Sequence, residues 1–155
     1  MAALKAAVKR SRPQSERGAE LIEFALVLPL LLLLVLGIVD FGFLFQRLEV
    51  VTNAAREGAR IAVLPGYDTN DVKDRVNDYL EEGGVPIVRG TNPVINVNPV
   101  TITAPGGATF PSEQVQVRYS HSYLFLSGLA RFFGGNFDSV PLNGQATMRV
   151  EAGGS

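Results

Sequence analysis

The sequence predicts an α+β fold in which a long N-terminal transmembrane helix extends into a small head. The head is expected to contain a second helix and a three- to four-stranded antiparallel sheet. Three observations predict this. The run from Leu21 to Phe45 is apolar except for Glu23 and Asp40. A helical apolar period continues to Leu64, and after Pro86 the period changes to the alternation typical of strands.

Length and composition limit the classes of protein to consider. A chain of 155 residues holds a membrane segment and about one compact domain. Its formal net charge is -1, and its cations are not collected into a basic face. We therefore expect no nucleic-acid partner. The chain has no Cys, which excludes disulfides, thiol nucleophiles and Cys-ligated zinc.

Residues 1–18 form a basic leader, and residues 19–45 form the predicted transmembrane helix. The leader contains one acid, Glu16, and the cations Lys5, Lys9, Arg10, Arg12 and Arg17. The apolar run is long enough to cross a lipid bilayer, which takes about 20 helical residues. It is longer than the apolar region of an ordinary secretory signal, and it ends without a small-x-small cleavage site. The positive-inside rule then predicts a cytoplasmic leader and an external C-terminal domain.

Glu23 is unusual because it lies near the start of this apolar run. A charge deep in a membrane helix costs on the order of 2.5–3.5 kcal/mol, so it usually has a partner or a function. Cleavage after Gly18 would give Ala19 a free amino group one helical turn before Glu23, and the two charges would neutralise each other. The amine of a neighbouring subunit would serve equally well. Solvation of Glu23 at headgroup depth is an equally good interpretation.

A recognisable motif begins just before the apolar run. It reads Arg17-Gly18-Ala19-Glu20-Leu21-Ile22-Glu23-Phe24-Ala25-Leu26, followed by Pro29 and a leucine run. It resembles a class III, type IV prepilin-like leader, in which cleavage follows a Gly and a Glu stands fifth in the mature chain. With the Gly42 region and the stretch Ala54-Ala55-Arg56-Glu57-Gly58-Ala59-Arg60, the sequence is similar to the TadE-like family of tight-adherence (Flp) pilus assembly proteins.

This resemblance implies a pilin-like fold and a role as a minor pseudopilin or assembly component of a tight-adherence (Tad/Flp) type IV pilus. It implies cleavage by a prepilin peptidase between Gly18 and Ala19, with Glu23 and Phe24 serving assembly and registration. The implied partners are other pilus subunits, inner-membrane pilus assembly proteins and the lipid bilayer. The implied location is the bacterial inner membrane, with the C-terminal domain periplasmic or extracellular. The alternative is an uncleaved single-pass scaffold that binds other secretion-apparatus components.

Residues 46–64 are predicted to continue the helix beyond the membrane, because no breaker occurs before Pro65-Gly66. Ala54, Gly58 and Ala62 form a ridge of small residues that permits close helix packing. We favour packing against the chain's own head over packing against a partner helix. The solvated face of this segment is expected to contain Arg56, Glu57 and Arg60.

Residues 65–155 are predicted to form the head. The polar stretch 68–71 supplies N-cap candidates for a second helix that runs to about Glu82 and is closed by Gly83-Gly84. Alternating runs at 94–98, 100–103, 114–119 and 145–151 predict the strands. An apolar patch either completes the core or forms an exposed surface for a partner or the membrane interface. It consists of Tyr123, Leu124, Phe125, Leu126, Leu129, Phe132, Phe133 and Phe137.

No catalytic constellation is evident, and we expect no enzymatic activity, cofactor or metal site. His121 is the only His, and the hydroxyls of Ser120 and Ser122 point to the opposite face of a strand. We expect His121 to be a partly exposed strand residue. The Asp/Asn cluster at 68–71 lacks the spacing of an EF-hand loop, and helix capping explains it better than calcium.

Overall fold

The structure, a computed structural model, describes residues 14–132, 134–135 and 139–151. Its elements are α1 (Gln14–Ala62), α2 (Thr69–Glu82), β1 (Val94–Thr103), β2 (Thr109–His121), α3 (Leu126–Phe132) and β3 (Val140–Arg149). The chain divides into two compact units, one ending at Ile38 and the other beginning at Val39. Residues 1–13 of the predicted leader lie outside the described residues, as do Phe133, Phe137 and the side chains of Leu129 and Phe132.

Helix α1 contains the predicted apolar segment. It is long and apolar enough to cross a membrane, with a mean hydropathy of 2.8 in its apolar window, and none of that window is buried within the chain. Pro29 lies inside the helix, as membrane helices tolerate when neighbouring groups re-satisfy the backbone. The prediction of a long N-terminal apolar helix is confirmed, and its character fits membrane anchoring.

Helix α2 begins with the capping residues that its sequence predicts. The Asp68 carboxylate accepts hydrogen bonds from the backbone N–H groups of Asn70 and Asp71, and the Asp71 side chain accepts one from the Asp68 N–H. These backbone donors lower the pKa of Asp68 below its ordinary value. The helix ends where Gly83 N–H donates to the Tyr79 carbonyl at 3.0 Å. Capping therefore accounts for the acidic cluster at this terminus.

The strands form a three-stranded antiparallel sheet in the order β1-β2-β3. The predicted runs 94–98 and 100–103 are one strand, β1, which continues through Pro99 opposite Glu113. Proline is tolerated there because β1 lies at an edge of the sheet. The other edge strand, β3, contains Pro141 near its start, opposite Ser120. The α+β layout is confirmed with three strands, the lower of the two predicted numbers.

The outer part of α1, helix α2 and the sheet share one core in the second unit. Its buried members are Val51, Ala54, Ala55, Ala59, Ile61, Val72, Val76, Leu80, Val85, Val115, Val117, Tyr119 and Leu142. The layers approach one another closely at Gly58 and at Gly144. A Cβ on Gly58 would lie 2.6 Å from a methyl group of Val76, and a Cβ on Gly144 would lie 2.4 Å from the Val51 carbonyl oxygen. Glycine at both positions lets α1 pack closely on its neighbours.

Candidate functional site

The first unit exposes the apolar side chains of α1 along its length. The large exposed residues there are Leu21, Ile22, Phe24, Leu26, Val27, Leu28, Leu30, Leu31, Leu32, Leu33, Leu34, Val35 and Ile38. A continuous apolar surface of this size marks an interaction site, because soluble monomers rarely expose one. Lipid tails and the apolar faces of neighbouring helices both match its chemistry.

The predicted processing and registration residues lie at the start of this surface. Gly18, Ala19, Glu23 and Phe24 are all helical and exposed, and 58% of Phe24 is accessible. Ala19 and Glu23 are one helical turn apart on the same face. The geometry thus brings the predicted cleavage site and the carboxylate together, while the roles assigned to these residues stay predictions.

The predicted small-residue ridge on α1 lies partly within the core. Ala54 is fully buried, and Gly58 is buried beside Val76 of α2 and Val115 of β2. Ala62 is half-buried and packs at the margin of the same core. The chain's own head thus occupies the surface at Ala54 and Gly58.

Glu57 links α1 to α2 through two cations. Its carboxylate accepts hydrogen bonds from Arg60 at 2.7 and 2.9 Å and from Arg75 at 3.1 Å. The Arg60 hydrogen bond, opposed by burial and reinforced by Arg75, lowers the pKa of Glu57 to about 2. The predicted solvated face is correct for Arg56 and Arg60, which are exposed, and wrong for Glu57, whose side chain is only 17% accessible. Arg75 of α2 contacts the Glu57 carboxylate and contributes to its low accessibility.

Asp40 forms a polar site that no local sequence pattern indicates. The residue is only 1% exposed, although it lies within the apolar run. Its Oδ1 accepts from the Leu124 N–H at 2.9 Å, and its Oδ2 accepts from the N–H groups of Phe125 at 3.0 Å and Leu126 at 2.7 Å. The carboxylate therefore satisfies the backbone that leads into α3, in the way that an N-cap side chain does.

Two ring contacts fix the segment next to Asp40. Tyr123 meets Phe41 edge to face with ring centroids 6.3 Å apart, and it meets His121 in the same manner at 5.5 Å. Such T-shaped pairs are favourable because the positive ring edge faces the negative ring face. The residues that follow β2 are thus attached to α1 by both polar and aromatic contacts.

His121 is buried, so the prediction of a partly exposed strand residue is wrong. It is 1% exposed at the end of β2, on the same face as the core residues Val117 and Tyr119. The Arg47 guanidinium donates to its Nδ1 at 2.7 Å, and its Nε2 has no hydrogen-bond partner among the described residues. Ser120 and Ser122 are exposed, so the strand separates their hydroxyls from the imidazole.

This environment makes a pH dependence of stability predictable. Burial first and the Arg47 charge second lower the pKa of His121, and the smaller opposing influence of Asp40 does not cancel them. Below about pH 6.5 the unfolded chain takes up a proton that the folded chain resists, so stability is full above that pH and falls as the pH drops through it. We expect the unfolding midpoint of the full chain in detergent to be lower at pH 5.5 than at pH 7.5.

The matched control for this pH effect is His121→Gln, which offers Arg47 an acceptor without a titrating ring. No other His is present, and the pKa of Glu57 lies well below this window. The variant should therefore show nearly the same midpoint at both pH values. An equal drop in the variant and the unmodified chain would contradict the assignment to His121.

Comparisons with known proteins cover the N-terminal part of the chain. The family model described as TadE-like protein matches residues 18–60. This range contains Gly18, Glu23 and Phe24, together with Asp40 and the outer part of α1 that packs in the head. No curated protein and no solved structure matches the chain significantly. The family suggests a protein associated with the Tad pilus. Residues 18–60 are therefore similar to the TadE-like family, and the resemblance that the sequence indicates is confirmed over this range.

Proposed function

We propose that this chain is a minor pseudopilin or assembly component of a tight-adherence (Tad/Flp) type IV pilus. The observation that carries the proposal is the exposed apolar surface of α1, which lies within the segment matched by the TadE-like family model. That surface serves first to anchor the chain in the inner membrane. It serves next to pack against other pilus subunits. The role is structural and involves no enzymatic reaction.

In this proposal the start of α1 carries the assembly chemistry. A prepilin peptidase cleaves after Gly18, and Ala19 acquires a cationic amine one turn before Glu23. The carboxylate then pairs with this amine or with that of a neighbouring subunit, which offsets the cost of placing a charge in lipid. Pairing between chains would set the stagger of neighbouring helices. The exposure of Ala19, Glu23 and Phe24 supports this role, because a registration surface must be accessible.

The packing of the head supports different roles for the two parts of α1. Ala54 and Gly58 are covered by the head of the same chain, so the close-packing ridge is already occupied there. Subunit contacts through the helix are then expected before the head, along the exposed run. The basic residues that precede the run support placement of the head in the periplasm or outside the cell.

Cleavage is tested by replacing Gly18 with alanine in the full chain. We expect the unmodified protein recovered from membranes to start at Ala19, and the Gly18→Ala variant to retain the leader. The measurement is intact mass with N-terminal sequencing. The matched control is Gly37→Ala, the same substitution in the same helix at a position where an added Cβ meets nothing within 4 Å. This control should be processed normally.

The opposite result selects a different function. An unmodified chain that still carries residues 1–18 in a host with an active prepilin peptidase would contradict processing. The chain would then be an uncleaved scaffold whose head binds another component of the envelope. Co-isolation of pilus subunits with the uncleaved chain would establish that role directly.

A further inference from the structure

A head segment covers the only charge in the outer part of the apolar run. Asp40 is nearly inaccessible, while Val39, Phe41 and Phe43 around it are exposed. The cover is the segment 123–126, the apolar cap. A carboxylate exposed in this run would be costly in lipid. The cap removes that cost by enclosing the carboxylate with backbone donors of the same chain.

The geometry of the cap turns its apolar side chains outward. Three consecutive backbone N–H groups, from Leu124 to Leu126, point at Asp40. Their hydrogen-bonding capacity is thereby satisfied inside the chain, as backbone groups at membrane depth require. Leu124 and Phe125 remain 66% and 37% exposed. The result is a segment with internally bonded N–H groups and an apolar exterior.

The position of Asp40 along the sequence sets the expected depth of the cap. Asp40 lies 19 residues beyond Leu21, where the apolar run begins, and about 20 helical residues cross the hydrocarbon core. It therefore falls near the outer boundary of the membrane. Tyr123, in ring contact with Phe41, is a residue type that is enriched at this level because one end is apolar and the other polar.

We propose that the apolar cap is a second membrane contact, in which Leu124 and Phe125 enter the lipid interface beside α1. The occupant of this surface is lipid, because the cap is continuous with the exposed apolar residues Phe41, Phe43 and Phe45 of the anchoring helix. The cap attaches the head to the membrane surface at two points. This inference rests on the anchoring part of the proposed function and is independent of cleavage and of pilus assembly.

The composition of the chain provides a direct test, because the protein contains no Trp. Leu124→Trp in the full chain creates a single fluorescent reporter on the cap. The protein is reconstituted at low density into phosphatidylcholine vesicles whose acyl chains are brominated close to the headgroup. We expect the bromines to quench the Trp emission well below its value in vesicles without bromine, because the ring is held at the interface. Phe125→Trp exchanges one aromatic ring for another and should give the same result.

Two single-Trp variants serve as controls. Leu33→Trp lies within the apolar run and should be quenched most strongly by lipids brominated near the chain ends. Ile102→Trp replaces a residue of β1 that is 40% exposed, and it should be insensitive to brominated lipid. All reporters carry the same ring, so the general preference of Trp for interfaces does not distinguish them.

The outcomes separate failure of the cap from failure of the anchor. Quenching of Leu33→Trp without quenching of Leu124→Trp and Phe125→Trp overturns the inference and leaves membrane anchoring intact. If the unquenched cap emission is also blue-shifted relative to Ile102→Trp, the cap is covered by another subunit instead of lipid. If Leu33→Trp is itself unquenched, the anchoring function is contradicted as well.

Discussion

Replacing Gly144 with alanine is expected to lower the free energy of unfolding of the head by about 1–3 kcal/mol, the usual cost of overpacking a core. The added Cβ would lie 2.4 Å from the Val51 carbonyl oxygen, 2.9 Å from its carbon and 3.0 Å from the Thr52 Cα. All three atoms belong to the backbone of α1, so no side chain can rotate away. The strand and the helix must separate, and the core between them loosens.

This expectation is measured by thermal unfolding of the full chain in detergent. All four tyrosines, Tyr67, Tyr79, Tyr119 and Tyr123, lie beyond α1, and there is no Trp, so near-ultraviolet circular dichroism of Tyr reports on the head. The matched control is Gly128→Ala in α3, where an added Cβ meets nothing within 4 Å. It should be neutral or slightly stabilising, because alanine favours helices. An unchanged midpoint for Gly144→Ala would contradict the close approach of β3 to α1.

Replacing Asp40 with alanine is expected to cause the second large loss of stability in the head. It leaves the part-buried N–H groups of Leu124, Phe125 and Leu126 without their acceptor. A fully buried donor left unsatisfied costs about 1–3 kcal/mol. Because the segment can partly relax, we expect a net loss of about 3 kcal/mol. Asp40→Asn keeps one acceptor oxygen and should lose less stability than Asp40→Ala.

Amide hydrogen exchange of the full chain in detergent locates this effect. The amides of residues 124–126 should exchange faster in Asp40→Ala, whereas the core amides of β2 should change little until global unfolding. Asp74→Ala is the control, since Asp74 is 71% accessible and only pairs with Arg89 at 3.3 Å. An exposed pair of this kind contributes less than about 1 kcal/mol. Slow exchange at 124–126 in Asp40→Ala would show that Asp40 does not hold the segment.

The two long helices and the strands were predictable from the sequence because each has a strong local signal, whereas the short helix α3 was not predicted. The apolar run specifies α1, the capping residues at 68–71 specify the start of α2, and the period of two specifies the strands. The sequence left open whether the runs on either side of Pro99 form one strand or two, and the reason is physical. Proline interrupts a central strand but is tolerated at an edge, and a single sequence does not say which strand is the edge.

The polar contacts within the head were less predictable, because they join distant parts of the chain. Asp40 and its donors are more than 80 residues apart, and no local pattern links them. The burial of His121 had a local signal, however. Val115, Val117, Tyr119 and His121 alternate along β2 and share its buried face. Extending that alternation by one step would have placed the imidazole in the core.

The prolines of the two outer strands have a consequence for how copies of this protein associate. Each outer strand lacks one backbone donor, at Pro99 in β1 and at Pro141 in β3. A foreign strand that tried to extend the sheet would find its hydrogen-bond ladder broken at those points. Heads that are crowded together at a membrane would therefore not stack readily through their edge strands in the manner of amyloid. Proline in both edge strands of the sheet thus opposes such aggregation.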